Sequence, residues 1–260
     1  MNALTSRRRH PAAIVVLLLL GLVATGGLYA LLAPKPASAA VAPAADATAG
    51  KKRVLAHCAS CPGLNAEGSK AGPSLAGVGA AAVDFQVGTG RMPLAGPGVQ
   101  AARSDKVKFT DEQIASMAAY VATLGPGPSV PDDQFTKGDG DIARGNALFK
   151  VNCAMCHNFA GAGGALTRGK YAPSLRDISG KHIYEAMETG PQSMPVFNET
   201  NLFPKDKNDI ISYLHELDKN ENPGGMSLGN LGPVSEGMFV WVFGLGLMVA
   251  AAVWLGAKAA

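Results

Sequence analysis

The sequence predicts a mainly helical protein in which two small tandem domains are carried between an N-terminal and a C-terminal apolar helix. Three observations support this. Each end of the chain holds a long run without charge, Gly/Pro-rich stretches cut the remainder into two segments of similar length, and those segments repeat each other. Of the 260 residues, 47% are hydrophobic and only 17% charged, and the mean hydropathy is +0.12. This leans towards membrane attachment and away from the low hydrophobicity and high charge of disordered chains. A net charge of +3 without a long Lys/Arg tract excludes the electrostatic footprint of a nucleic-acid-binding protein. Four cysteines are too few for a disulfide scaffold at this length.

Residues 1–33 read as a signal-anchor or transmembrane helix. Arg7, Arg8, Arg9 and His10 precede an uncharged run from Ala12 to Ala33, long enough to span a bilayer. The same stretch has the form of a secretory signal, with Ala37-Ser38-Ala39 as a small-residue cleavage site. Either reading exports the chain beyond it. Residues 34–46, with Pro34 and Pro36 among alanines, read as a tether. At the other end, residues 238–257 form a second candidate span, bounded by Glu236 and Lys258. Trp241 and Trp254 sit near its ends, where interfacial aromatics are favoured. The basic flank before Ala12 and the lone Lys258 put both termini in the cytoplasm if the first segment is uncleaved. The intervening chain then lies outside the cell membrane.

Two domains are expected, at 47–125 and 141–222, joined by a linker at 126–140 and followed by a second linker at 223–237. They agree point by point. Gly50 and Gly145 stand at the same remove before the pairs Cys58/Cys61 and Cys153/Cys156. A Pro-Ser-Leu comes next in each (Pro73-Ser74-Leu75 and Pro173-Ser174-Leu175), then a Thr-Gly that leads to Met92-Pro93 and Met194-Pro195. A helix closes each unit. Thr110 and Gln113 form a capping-box signature ahead of Ile114, Met117, Ala118 and Val121, and Asp206 is the expected cap of a helix bearing Ile210, Leu214 and Leu217. Ordered agreement at so many points marks a duplication. Domains this small usually need a staple beyond their own core.

Cys153-Ala154-Met155-Cys156-His157 supplies that staple, because C-x-x-C-H is the signal for c-type haem attachment. Two thiols at this spacing can form thioethers to the two vinyl groups of one porphyrin, and the adjacent imidazole is then held under the iron. A redox dithiol would sit near a βαβ pattern, which neither pair does. A zinc ribbon would need the pairs far closer, at a spacing of roughly 15–20 residues. Methionine as the second axial ligand suits electron transfer, and Met194 and Met92 occupy the same relative place in the two units. The first motif departs from the rule: Cys58-Ala59-Ser60-Cys61-Pro62 carries proline at the proximal-histidine position. His57 lies on the wrong side of that loop and is expected to face solvent. His10 belongs to the cytoplasmic flank, His215 is expected on the exposed face of the closing helix, and His182 has a structural or surface role.

The phrases around these motifs resemble the dihaem cytochrome c subunit (cytochrome cc) of actinobacterial cytochrome bc complexes over nearly the whole chain. They include Gly72 to Leu75, Phe85 to Pro93, Asn152 to Phe159, Gly163 to Leu166, Gly169 to Pro173 and Thr189 to Gln192. The resemblance implies two covalent haem c groups, one held by Cys58 and Cys61 and the other by Cys153 and Cys156. His157, Met194 and Met92 would be the iron ligands. It also implies a cytochrome b subunit, a Rieske iron–sulfur subunit and an aa3-type cytochrome c oxidase as partners in a respiratory supercomplex. In that setting the chain is the electron-transfer subunit of a proton-translocating menaquinol–cytochrome c reductase, with no bond-making chemistry of its own. A dihaem enzyme such as a peroxidase is the competing class. It requires an open iron position, against which the two Met-Pro elements argue. A haem-based sensor would lack rapid redox cycling with quinol.

Overall fold

The computed structural model describes residues 11–32, 45–94, 96, 98–219 and 233–259. The chain divides into two units, 1–38 and 39–260. The first contains α1 (Pro11–Leu32), an uncharged helix of 22 residues. Proline opens it, at the one helical position where a missing N–H costs nothing. Its Ala12–Tyr29 stretch has the length and hydropathy of a membrane span and buries none of its side chains against protein. The expected basic flank (7–10), the cleavage site at 37–39 and nearly all of the 34–46 tether lie outside the described residues.

The first cytochrome-sized domain is built from α2 (Ala47–His57), α3 (Gly79–Gly88) and α4 (Asp111–Ala122). Asp46 caps α2 by accepting the N–H groups of Thr48 and Ala49 at 2.8 and 3.2 Å. The capping box at α4 forms as the sequence predicts. Thr110 accepts from the Gln113 amide and the Gln113 side chain accepts from the Thr110 amide. Its apolar face (Ile114, Met117, Ala118, Val121) is buried and meets Val54 of α2 and Val87 of α3 in one core. Helix α2 lies so close to α4 that a Cβ at Gly50 would collide with the Ser116 carbonyl oxygen, so only glycine fits there.

The second domain repeats this arrangement with α5 (Ile142–Asn152), the one-turn α6 (Ala154–His157), α7 (Gly180–Thr189) and α8 (Pro204–Lys219). A two-stranded antiparallel ribbon is added, β1 (Gly164–Ala165) pairing with β2 (Tyr171–Ala172). Gly145 of α5 meets the Asp209 carbonyl of α8 as Gly50 meets Ser116. Phe149, Ile183, Met187, Ile210, Ile211 and Leu214 make the core.

Three expectations are corrected here. Asp206 is not the cap of α8 but lies within its first turn, because Pro204 opens the helix. From there it reaches back to accept the Phe203 amide at 3.2 Å and pairs with Arg144. His215 is half-buried rather than exposed, since the chain at Gly138 folds over that face of α8 and Nε2 lies 3.4 Å from the Ile178 carbonyl oxygen. The terminal helix, α9 (Pro233–Ala259), starts earlier than the expected 238, again at a proline, so 233–237 is helix rather than linker. The rest of that linker, 223–232, lies outside the described residues. The Glu236–Lys258 stretch of α9 is also of membrane-crossing length and hydropathy.

The two domains touch. Helix α3 packs on α7, where Lys181 Nζ lies 2.7 Å from Asp84. Gln100 clamps the backbone of β2, its amide donating to the Tyr171 carbonyl at 2.8 Å and its oxygen accepting the Tyr171 N–H at 2.9 Å. The 126–140 linker is fastened at both ends. The Pro128 carbonyl accepts from Ala81 of α3, while Gly140 and Asp141 donate to Ser212 and Asp209 of α8.

Candidate functional site

In the second domain the end of α5 delivers Cys153, and the next turn delivers Cys156 and His157. The turn is set by backbone bonds alone: the Cys153 amide closes on the Phe149 carbonyl at 2.8 Å, and the Cys156 and His157 amides close on the Cys153 carbonyl at 3.1 and 2.9 Å. All three side chains line one cavity of about 370 Å³, together with Met194 of the loop after α7. The other walls are mostly apolar, including Phe149, Leu175, Ile183, Met187 and Phe197. The sequence-predicted set of the second unit is therefore brought together around one space.

His157 is 8% exposed, and its Nδ1 lies 2.9 Å from the Pro173 carbonyl oxygen. Nδ1–H donating to that carbonyl fixes the tautomer and leaves the Nε2 lone pair free, as an imidazole ligand to iron requires. Burial lowers the pKa of His157, opposed by the bond to Pro173, so the ring is held in its neutral, coordinating form. Burial likewise pushes the Cys153 thiol up to about 12, with the neighbouring Cys156 adding to the shift. The Pro-Ser-Leu repeat thus has a physical task that sequence reasoning missed: its proline carbonyl orients the imidazole, and the Leu175 amide bonds the Gly161 carbonyl at 2.7 Å to hold the loop in place.

The first domain keeps the same frame around a different residue. The Cys58 amide closes on Val54, and Cys61 on the Cys58 carbonyl. The Pro62 carbonyl accepts from Gly68 at 2.7 Å just as the His157 carbonyl accepts from Gly163 at 2.9 Å, and Leu75 bonds Ala66 as Leu175 bonds Gly161. Pro62 is buried like His157 but offers no nitrogen lone pair. Cys58 and Met92 both pack against the first core, and Cys61 is exposed. His57 is exposed, as expected, with its ring 5.2 Å from that of Phe109 in an edge-on arrangement. His182 is half-buried on α7 at the domain contact and also lines the second cavity.

Residues of the first domain complete the second cavity: Phe85, Thr89, Arg91, Gln100 and Arg103 are part of its wall. The sequence offered a signal only for Arg91, inside the repeated Thr-Gly to Met-Pro phrase.

The thiol pair, the oriented neutral imidazole, the methionine and the apolar walls fit a haem c in the second unit. The first unit fits thioether attachment but supplies no imidazole from its own motif. The protein-family comparison agrees with two such units: residues 47–125 match the cytochrome c family model, and residues 140–214 match that of cytochrome c oxidase, cbb3-type, subunit III. The chain is 44% identical to the cytochrome bc1 complex cytochrome c subunit of Mycobacterium leprae, covering 94% of this chain and 87% of that protein. It is 45% identical to the Mycobacterium tuberculosis subunit of the same name, over 94% and 90% of the two chains. Identity to the Corynebacterium diphtheriae subunit is 41%, over 96% and 95%. The two cytochrome c domains fit two covalently bound haem c groups, and the chain belongs to the family of cytochrome c subunits of the cytochrome bc1 complex.

Proposed function

We propose that this chain carries electrons from the Rieske iron–sulfur subunit of a menaquinol-oxidising bc complex to an aa3-type cytochrome c oxidase, within a respiratory supercomplex that also contains cytochrome b. The bound haem supplies a one-electron iron couple, and the protein holds it, sets its ligands and keeps water from it. Cys153 and Cys156 would hold the haem of the second unit through thioethers, and His157 and Met194 would ligate its iron. Cys58 and Cys61 would hold the haem of the first unit in the same way and Met92 would be an iron ligand, while Pro62 offers no imidazole. Both terminal helices cross the cell membrane, or the C-terminal helix alone where the first segment is cleaved, and the cytochrome domains lie on the outer side, where covalent haem attachment takes place.

The observation that carries this reading is the convergence of Cys153, Cys156, the carbonyl-oriented His157 and Met194 on one mostly apolar cavity. A methionine lining the cavity of a His-bearing site suits electron carriage better than substrate binding, which needs an open position. Two haem-binding units fixed on one chain and in contact remove a diffusional step between redox centres. The test is a haem-to-polypeptide ratio on the purified complex, combined with rapid-mixing reduction of its c-type haem by a menaquinol analogue. The expected result is reduction that precedes oxygen uptake and is abolished by removing the Rieske subunit. A c-type haem that quinol reduces equally well without that subunit, or that turns over peroxide instead, would overturn the reading.

A further inference from the structure

The wall of the second cavity contains three cationic side chains, Arg91, Arg103 and Lys170, and among the described residues no carboxylate. Lys170 belongs to the second domain and is bonded to Ser193 at 2.9 Å. The two arginines come from the first domain. Arg91 is half-buried with its guanidinium carbon 4.7 Å above the Phe85 ring. Burial, and then the like charge of Arg103, depress its pKa. Among the described residues neither arginine has a carboxylate within ion-pair distance. The nearby acids are otherwise engaged. Asp84 is taken by Lys181 at 2.7 Å, and Glu185 is fully buried with its pKa pushed up to about 9 by desolvation, so it is uncharged at neutral pH.

Half-buried Arg91, with the like charge of exposed Arg103 beside it at a mostly apolar cavity, describes a place that favours negative charge, because a partly buried cation is tolerated when paired. The charge surplus is of the wrong sign for a metal, although ligand atoms of Asp84, His182 and Glu185 lie within 4.8 Å of one another. A haem c brings two carboxylates, and they leave the porphyrin on the side away from the vinyl groups that the cysteines capture. Arginine is the residue whose planar fork matches a carboxylate with two parallel bonds.

We infer that Arg91 and Arg103 of the first domain bind the carboxylates of the haem held by Cys153, Cys156, His157 and Met194, so that each domain is needed to complete the second site. This rests on the haem reading of that site. Arg91 also immediately precedes Met92, the proposed iron ligand of the first unit. One peptide link therefore connects the ligand sphere of the first haem to the residue that hydrogen-bonds the edge of the second, which gives the two centres a short route of covalent bonds and one hydrogen-bonded contact.

The test uses the full chain in its complex, with Arg91→Gln and Arg103→Gln separately, and Lys150→Gln as a control that removes one exposed charge outside the cavity. Two quantities are read: the midpoint potential of the low-spin haem with His/Met ligation, and the carboxylate bands of its redox-difference infrared spectrum. Each arginine variant should shift the potential downward, since removing a cation beside a carboxylate favours the oxidised iron, and should shift the carboxylate bands. Lys150→Gln should do neither. Arg91→Lys retains charge without the fork and should recover part of the potential, which keeps the test decisive if Arg91→Gln assembles poorly. Haem present with its low-spin His/Met spectrum, and potentials and infrared bands unmoved in both arginine variants, would overturn the inference alone. Absence of covalent haem on the 141–222 segment of the unmodified chain would instead overturn the reading of the site.

Discussion

The two cytochrome domains share a backbone and differ at the residue the backbone was expected to serve. Pro62 and His157 stand at the same point of the same turn, both buried, both accepting an amide from a glycine with positive φ (Gly68 at +94°, Gly163 at +83°). The turn therefore does not depend on the imidazole. It is fixed by the amide of the first cysteine closing on the preceding helix, by a left-handed glycine and by the Pro-Ser-Leu loop. An imidazole at this point is a side-chain feature placed on a frame that forms without it, since the same turn closes around Pro62.

The comparison breaks most sharply by exchanging that one residue. His157→Ala should remove the low-spin spectrum of the second unit and stall electron delivery, with the domain still folded. Pro62→His should do the reverse in the first, adding an imidazole to a frame already shaped to hold one. Magnetic and optical spectra of the complex check both outcomes. The unmodified chain should show one ordinary His/Met haem and one of unusual ligation, and Pro62→His should show two of the ordinary kind. Two ordinary spectra from the unmodified chain, with Pro62 verified by peptide sequencing, would remove the proposed asymmetry.

A second substitution asks whether the frames are as alike in energy as in form. A Cβ at Gly50 or Gly145 meets a backbone carbonyl of the closing helix, which cannot yield as a flexible side chain would. Gly50→Ala and Gly145→Ala should each cost about 3 kcal/mol through forced separation of the packed helices. Thermal unfolding of the full chain, monitored at each haem, checks this. A loss confined to one domain would show that the other has slack at its crossing.

Much of this was legible because it is local or repeated. The cysteine turns, the Thr110–Gln113 box and the two terminal apolar helices each depend on residues close in sequence, and the duplication lets one unit interpret the other. What stayed hidden depends on distant chain segments. Asp206 reads as a cap until Pro204 is seen to open the helix and Arg144, far upstream, is seen to pair with it. His215 reads as exposed because nothing near it in sequence reveals that the 126–140 linker covers that face. The cationic wall of the second cavity could not be read either, since Arg91 and Arg103 are polar residues of an ordinary loop until the domain contact turns them towards another domain's site.

The smallest effect comes from a matched pair of helix positions. Thr89 and Thr189 each donate a hydroxyl to the carbonyl one helical turn back, at 2.5 Å to Phe85 and 2.7 Å to Glu185, so these two residues correspond. The first domain places an aromatic ring there, and the second places a carboxyl that is fully buried with neither oxygen hydrogen-bonded within the described protein. Desolvation, with Asp84 adding to it and Lys181 opposing, pushes its pKa from 4.5 up to about 9. Linkage sets the sign. The folded state keeps the proton that the unfolded state releases above about pH 4.5, so this group's contribution to stability is fully present below that pH and is lost progressively as pH rises towards 9. Glu185→Gln keeps the shape and removes the proton. The variant should match the native chain near pH 4 and exceed it at neutral pH by roughly 2 kcal/mol, a figure set below the full linkage value to allow for relaxation around the charge. Melting temperatures measured from pH 5 to 9 should therefore fall less steeply for Glu185→Gln than for the native chain. Parallel profiles would mean that Glu185 is ionised in the folded protein and paired with Lys181. In that case the second domain carries a buried ion pair where the first carries a ring.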